Sequence, residues 1–173
     1  MARIGRVLFS EQDVRAAVER VAQQIERTYR PGEVTMIVAL RGGMVFAADL
    51  LRRIDLPVRL DYVVASSYGS GTAPGQLRIT GGFELDLEGK DVLIVDDILD
   101  SGRTMKTIRD QTLAFDPRTV RVAVLLDKPS RRQVDLRPDF AGFEVPNVFV
   151  VGYGLDHDQR YRNLPYIAEV VDV

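Results

Sequence analysis

The chain has 173 residues, of which 46% are apolar and 28% charged, and its formal net charge is -2. That balance suits one globular domain with one well-buried core, 1–173, and gives no bulk attraction to nucleic acid or to an anionic membrane. The sequence has no cysteine and a single histidine, His157, so disulfides, thiolate zinc sites, a cysteine nucleophile and a multi-histidine metal centre are all excluded.

The first residues, MARIGRVLFSEQD, contain no long apolar stretch, and no signal peptide is expected. No apolar run approaches the roughly 20 residues of a membrane span. Ser10 and Asp13 have the spacing of a capping box. Behind them Val14, Ala17, Val18, Val21, Ala22, Ile25 and Tyr29 recur at helical spacing. Pro31 and Gly32 stop that first helix. Val34–Leu40 is a buried strand, Arg41-Gly42-Gly43 a turn, and residues 44–53 the next helix.

Residues 58–65 form a second strand, which runs into the small, polar, glycine-containing stretch 66–72, read as a loop. A strand over 77–83 returns from it. The most apolar strand follows at 92–95, then two aspartates, a glycine turn and a helix over 103–115. Further strands are expected at 120–126, 148–151 and Ile167–Val171. Continuous apolar strands separated by helices predict an α/β fold: a parallel sheet flanked by helices.

The segment VLIVDDILDSGRT, residues 92–104, is the most informative. Asp96 and Asp97 fall where the strand is expected to leave the sheet, the edge at which open parallel sheets bind ligands. Gly102 permits a tight backbone, Ser101 and Thr104 offer hydroxyls, and the first amides of the following helix are unpaired donors. Such a turn suits a phosphate monoester. An ordinary capped loop would need only one of the acids, whereas three aspartates lie within residues 96–100.

This segment resembles the motif that binds phosphoribosyl pyrophosphate (PRPP) in type I phosphoribosyltransferases. The resemblance extends from about Val34 to Ile167 and is most specific to the hypoxanthine-guanine branch of the short bacterial type. It implies that family's fold, with a small hood formed from N- and C-terminal segments. It also implies purine salvage: transfer of the phosphoribosyl group of PRPP to hypoxanthine or guanine, releasing pyrophosphate.

By the same resemblance Asp96 and Asp97 hold the ribose hydroxyls with magnesium, and Ser101, Gly102, Arg103 and Thr104 wrap the 5′-phosphate. Asp100 handles the proton on the purine ring nitrogen. The turn bearing Arg41 and Gly42 becomes the pyrophosphate loop, with a cis peptide before Arg41, and Ser67 and Tyr68 belong to a lid over the reacting centre. Lys128 donates to the exocyclic oxygen of a 6-oxopurine. Phe149 stacks on the base, and the Val150 backbone bonds its edge. Asp156 helps to hold the Mg2+, and Arg162 faces the pyrophosphate. Arg131 and Arg132 have no assigned role and read as a solvated pair.

The family implies a homodimer or homotetramer, in the cytoplasm, with no nucleic-acid or membrane partner. Two other readings stay open. Arg41-Gly42-Gly43 is similar to the xanthine-guanine branch, and the same fold serves PRPP-sensing regulators that bind RNA or DNA. Base preference among hypoxanthine, guanine and xanthine is not fixed by the sequence.

Overall fold

The computed structural model describes residues 3–67, 77–80 and 83–171. Two sheets organise the described residues. The larger has six strands in the order β4-β3-β2-β5-β6-β7. These are β2 (Val34–Leu40), β3 (Val58–Ser67), β4 (Leu77–Thr80), β5 (Asp91–Leu99), β6 (Thr119–Asp127) and β7 (Phe140–Glu144). All pairings in it are parallel except β3 with β4. The smaller sheet has the order β1-β9-β8 and joins β1 (Arg3–Phe9), β8 (Val150–Val151) and β9 (Ile167–Val171).

Period-two alternation divides the large sheet between two cores. Met36, Val38, Leu93, Val95, Ala123 and Leu125 face one side, under helices α1 (Glu11–Tyr29) and α2 (Met44–Leu51). Ile37, Ala39, Val92, Ile94, Val122 and Val124 face the other, under Met105 and Ile108 of α3 (Arg103–Leu113) and Leu87. Strands buried on both faces need no polar alternation, which is why they read as continuous apolar runs.

Helix α1 begins at the expected capping box. Asp13 N–H donates to Ser10 Oγ at 3.2 Å, and the Asp13 carboxylate accepts from Ser10 N–H at 2.9 Å. Such a cap contributes about 1 kcal/mol. Each large aliphatic side chain that α1 buries contributes about 1.5–3 kcal/mol, so its apolar face decides where it docks. The helix ends at Tyr29, and both the Arg30–Pro31 and Leu40–Arg41 peptides are cis. No helix among the described residues is long and apolar enough to cross a membrane.

Several expectations need correction. Strand β3 continues to Ser67, and Ser66 and Ser67 pair with Arg78 and Leu77, so the stretch expected to begin a loop at 66 begins as sheet. The returning strand is described over Leu77–Thr80, and residues 81–82 of the expected strand lie outside the described residues. Strand β5 does not stop at Val95. It loses β2 there, because the last β2–β5 pair is Val38–Val95, but stays paired with β6 as far as Leu99–Asp127. Asp96 and Asp97 therefore stand on a strand with one neighbour withdrawn. Strands β1 and β7 were not anticipated. β1 is arginine-containing and half exposed, and β7 is a short edge strand with Gly142 at its centre.

The topology locates a crevice. From β2 the chain crosses through α2 to β3 on one side; from β5 it crosses through α3 to β6 on the other. The order reverses between β2 and β5, and ligands bind at the carboxyl ends of strands flanking such a switch point.

Candidate active site

At that point two cavities adjoin. One, of about 240 Å³, is lined by residues 96–102 together with Thr104 and Met105. The other, of about 190 Å³, includes Lys128, Phe149, Val150 and Asp156 in its walls. Asp97, Ile98 and Asp100 line both.

The first cavity is a cup. Gly102 is the N-cap of α3 with φ 82°, a left-handed conformation in which glycine carries no Cβ penalty. Arg103 N–H lies 3.4 Å from Ser101 Oγ. The amides of Ser101 and Gly102 have no partner among the described residues. Ser101 and Thr104 stand where the sequence places them, at a helix N-terminus that favours an anion. Arg103 does not line the cup, and its side chain is exposed on α3.

Asp96 and Asp97 form the floor. Asp97 N–H donates to Asp96 Oδ1 at 2.8 Å and Ile98 N–H to Asp97 Oδ1 at 2.7 Å. Burial, then the adjacent Asp97 charge, pushes the Asp96 carboxyl well above the usual carboxylate range. Burial also raises Asp97, opposed by its hydrogen bonds and by the Arg162 guanidinium. Two neighbouring carboxyls this desolvated could hold a cation, whose charge would favour their ionised forms.

In the second cavity Lys128 is 6% exposed. Its ammonium donates to the Val148 carbonyl at 2.8 Å, so it is held in place rather than solvated. Burial lowers its pKa, partly offset by the Asp100 carboxylate. Asp100 Oδ1 has no hydrogen-bond partner among the described residues and lies 3.4 Å from Arg131 Nε. Phe149 is 45% exposed, and its ring meets His157 edge-on at 5.4 Å. An aromatic face left open beside a fixed lysine suits a flat heterocycle.

A third group adjoins the second cavity through Asp156. The Arg162 guanidinium pairs with Asp156 at 2.7 Å and donates to the Gly154 carbonyl at 2.6 Å. Arg41 and Arg162 both donate to Gln159 Oε1, at 3.3 and 3.1 Å. Asp156 also accepts from Gln159 N–H at 2.8 Å. No group of three or more His, Cys, Asp or Glu among the described residues is arranged around a metal position.

Of the residues singled out in the sequence, the fold gathers Asp96, Asp97, Asp100, Ser101, Gly102 and Thr104 in the cup. Lys128, Phe149, Val150 and Asp156 are in the slot, and Arg41 and Arg162 converge on one amide oxygen. Ser67 ends β3, and Tyr68 lies outside the described residues. Gln159 belongs to the segment 159–165 that continues the family resemblance but has no role there, because nothing in a loop glutamine signals that two arginines will share its oxygen. Arg132, expected to be solvated, is 12% exposed and bonds the Leu99 and Asp100 carbonyls behind the cup.

The chain matches the model of the phosphoribosyl transferase domain over residues 8–158. It is 42% identical over 174 residues to the hypoxanthine phosphoribosyltransferase of Salmonella typhimurium, covering 99% of this chain and 98% of that one. It is 44% identical over 169 residues to the hypoxanthine-guanine phosphoribosyltransferase of Aquifex aeolicus, covering 96% and 95%. A crystal structure of a hypoxanthine-guanine phosphoribosyltransferase from Bacillus anthracis superposes with a TM-score of 0.92 at 40% identity, covering 99% of this chain and all of that one.

Proposed function

Because the chain belongs to the phosphoribosyl transferase family, we propose that it is a purine-salvage enzyme that transfers the phosphoribosyl group of PRPP to hypoxanthine, guanine or both. The observation that carries this reading is the pair of adjoining cavities that share Asp97, Ile98 and Asp100. A phosphorylated sugar in the cup would present its reacting carbon toward a base in the slot.

Each group then has a task. The amides and hydroxyls of residues 101–104, including the Arg103 backbone, hold the 5′-phosphate, and Asp96 and Asp97 hold the ribose hydroxyls. Arg41, the Gly42 backbone and Arg162 take the pyrophosphate, whose phosphates replace Gln159 as their acceptor. Phe149 stacks on the purine, and the Val150 backbone meets its edge. The Lys128 ammonium donates to the 6-oxo group. It would meet no acceptor in the exocyclic amino group of adenine, so a 6-oxopurine is preferred. Asp100, shared by both cavities, holds the proton displaced from the ring nitrogen. Ser67 and Tyr68 are assigned to the lid. Positioning and electrostatics supply most of the rate enhancement.

A divalent cation fits the floor of the cup, where two adjacent desolvated carboxyls are opposed by the Arg162 guanidinium at Asp97 alone. We assign it as Mg2+, held by Asp96 and Asp97, with Asp156 helping through water, and with substrate oxygens completing the shell, as suits a cation that keeps few protein ligands. When bound it would neutralise the pyrophosphate and make it a better leaving group.

The small sheet joins N- and C-terminal strands beside the slot, and we read it as the hood of one domain. The chain is taken to work as a homodimer or homotetramer, without nucleic-acid or membrane partners. A cytoplasmic setting suits its cysteine-free sequence.

Purified protein incubated with PRPP and MgCl2 should convert hypoxanthine or guanine to the nucleoside monophosphate, with little product from adenine. Specificity constants for hypoxanthine, guanine and xanthine would rank the bases, and a dominant xanthine activity would move the chain to the xanthine-guanine branch. No product from any base would sink the reading.

A further inference from the structure

Behind the residues that line the cup, one side chain holds their backbone. The Arg132 guanidinium donates through Nε to the Asp100 carbonyl at 3.0 Å and through Nη2 to the Leu99 carbonyl at 3.0 Å. It also pairs with the Asp127 carboxylate and donates to the Leu136 carbonyl. Its neighbour Gln133 donates its N–H to the Ser101 carbonyl at 2.9 Å, and Lys128 N–H reaches the Leu99 carbonyl at 3.0 Å. The carbonyls of residues 99, 100 and 101 are therefore all held from one side.

In a trans peptide the carbonyl and the following N–H point in opposite directions. Fixing those three carbonyls backward turns the amides of residues 100–102 forward, toward the cup. The close fit is visible at Gly102, where a Cβ would meet Val134 Cγ2 at 2.7 Å and Arg132 Cδ at 2.9 Å. We propose that Arg132 is a positioning residue that presets the phosphate-binding amides by pinning the Leu99 and Asp100 carbonyls.

Its charge is not what matters, because Asp127 already compensates it. What matters is the planar fork, which reaches four acceptors at once; the single ammonium of lysine does not. Through Asp127, at the end of β6 and next to Lys128, the same fork ties the cup to the base slot. A sugar-phosphate that fills one cavity then meets the other already aligned.

The proposal rests on the phosphoribosyl-transfer reading, and the test separates the two. Titration calorimetry with PRPP and with ribose 5-phosphate is carried out on wild type, Arg132→Lys and Arg132→Gln, each checked for folding by circular dichroism. The expected result is a Kd at least tenfold weaker for both ligands in either folded variant, with the KM for the purine base changed less than threefold. A fall in Tm with unchanged Kd per folded molecule would reduce Arg132 to a structural role and overturn the proposal. So would full affinity in Arg132→Lys. Wild type that binds neither ligand would sink the phosphoribosyl reading itself, and this proposal with it.

Discussion

A β-carbon placed on Gly42 would fall on the carboxylate of Asp97. The turn after β2 and the acidic pair on β5 are in direct contact across the switch point of the sheet, and only a hydrogen at Gly42 leaves room for it. The carbonyl of Gly42 is itself closely approached, since a Cβ at Gly154 would lie 2.6 Å from it. Three segments far apart in sequence thus meet at the switch point, where the proposed sugar, pyrophosphate and base sites adjoin.

Gly42→Ala should therefore damage catalysis more than folding. The methyl must displace either the turn or Asp97, and a displacement of about 1 Å at a reacting centre can cost roughly 10²-fold in rate. Steady-state kinetics should show kcat/KM for PRPP falling by about that factor, with far-UV circular dichroism unchanged. Wild-type kinetics in this variant would mean that the contact is unimportant.

Asp96→Asn should make the ligand-free protein more stable and the enzyme inactive. Asp96 is held above its ordinary value of 3.8. An acid with a raised pKa binds more protons folded than unfolded, so stability is full below the unfolded value and falls as pH rises through the folded one. The amide removes that loss. At pH 7.5 the melting temperature should rise by roughly 2–4 °C, the size of a change of about 1 kcal/mol in a chain of this length, and the gain should fade toward pH 4. Calorimetric scans from pH 4 to pH 8 test the sign.

Asp100→Asn should separate chemistry from binding. Asp100 lines both cavities but offers only its carbonyl to Arg132 behind the cup. Removing general acid–base work typically costs 10²-fold or more, so turnover should fall by at least about 10²-fold with PRPP affinity within a few-fold of wild type. Unimpaired turnover would remove Asp100 from the mechanism.

The assembly has its own test. Met44, Leu60 and Tyr62 are each about half exposed around an almost wholly apolar cleft between α2 and β3. That cleft also touches Leu40, next to the turn that carries Arg41. Contiguous exposed apolar surface of this kind suits a protein partner, and we take it as the contact between copies of this chain. Leu60→Glu should shift the mass measured by light scattering to the monomer and lower activity by disturbing the turn. A wild-type monomer at micromolar concentration would remove the idea.

What the sequence determined by itself was local or periodic. The Ser10–Asp13 cap, the apolar run of β2, and the three aspartates with a glycine turn before α3 are each set by side chains within a few residues, so their spacing was enough. The tertiary structure decided whatever needed a distant partner. Strand β1 exists because β9 pairs with it, and β5 extends past Val95 because β6 accompanies it to Leu99. Arg132 looked solvated because its acceptors are mostly backbone carbonyls, a group every residue carries and no residue type announces. Gln159 holds two arginines together only because the turn after β2 and the loop after β8 meet in space. Periodicity can be read along a chain, but a hydrogen bond between segments is set by their distance and orientation, and those exist only once the sheet has formed.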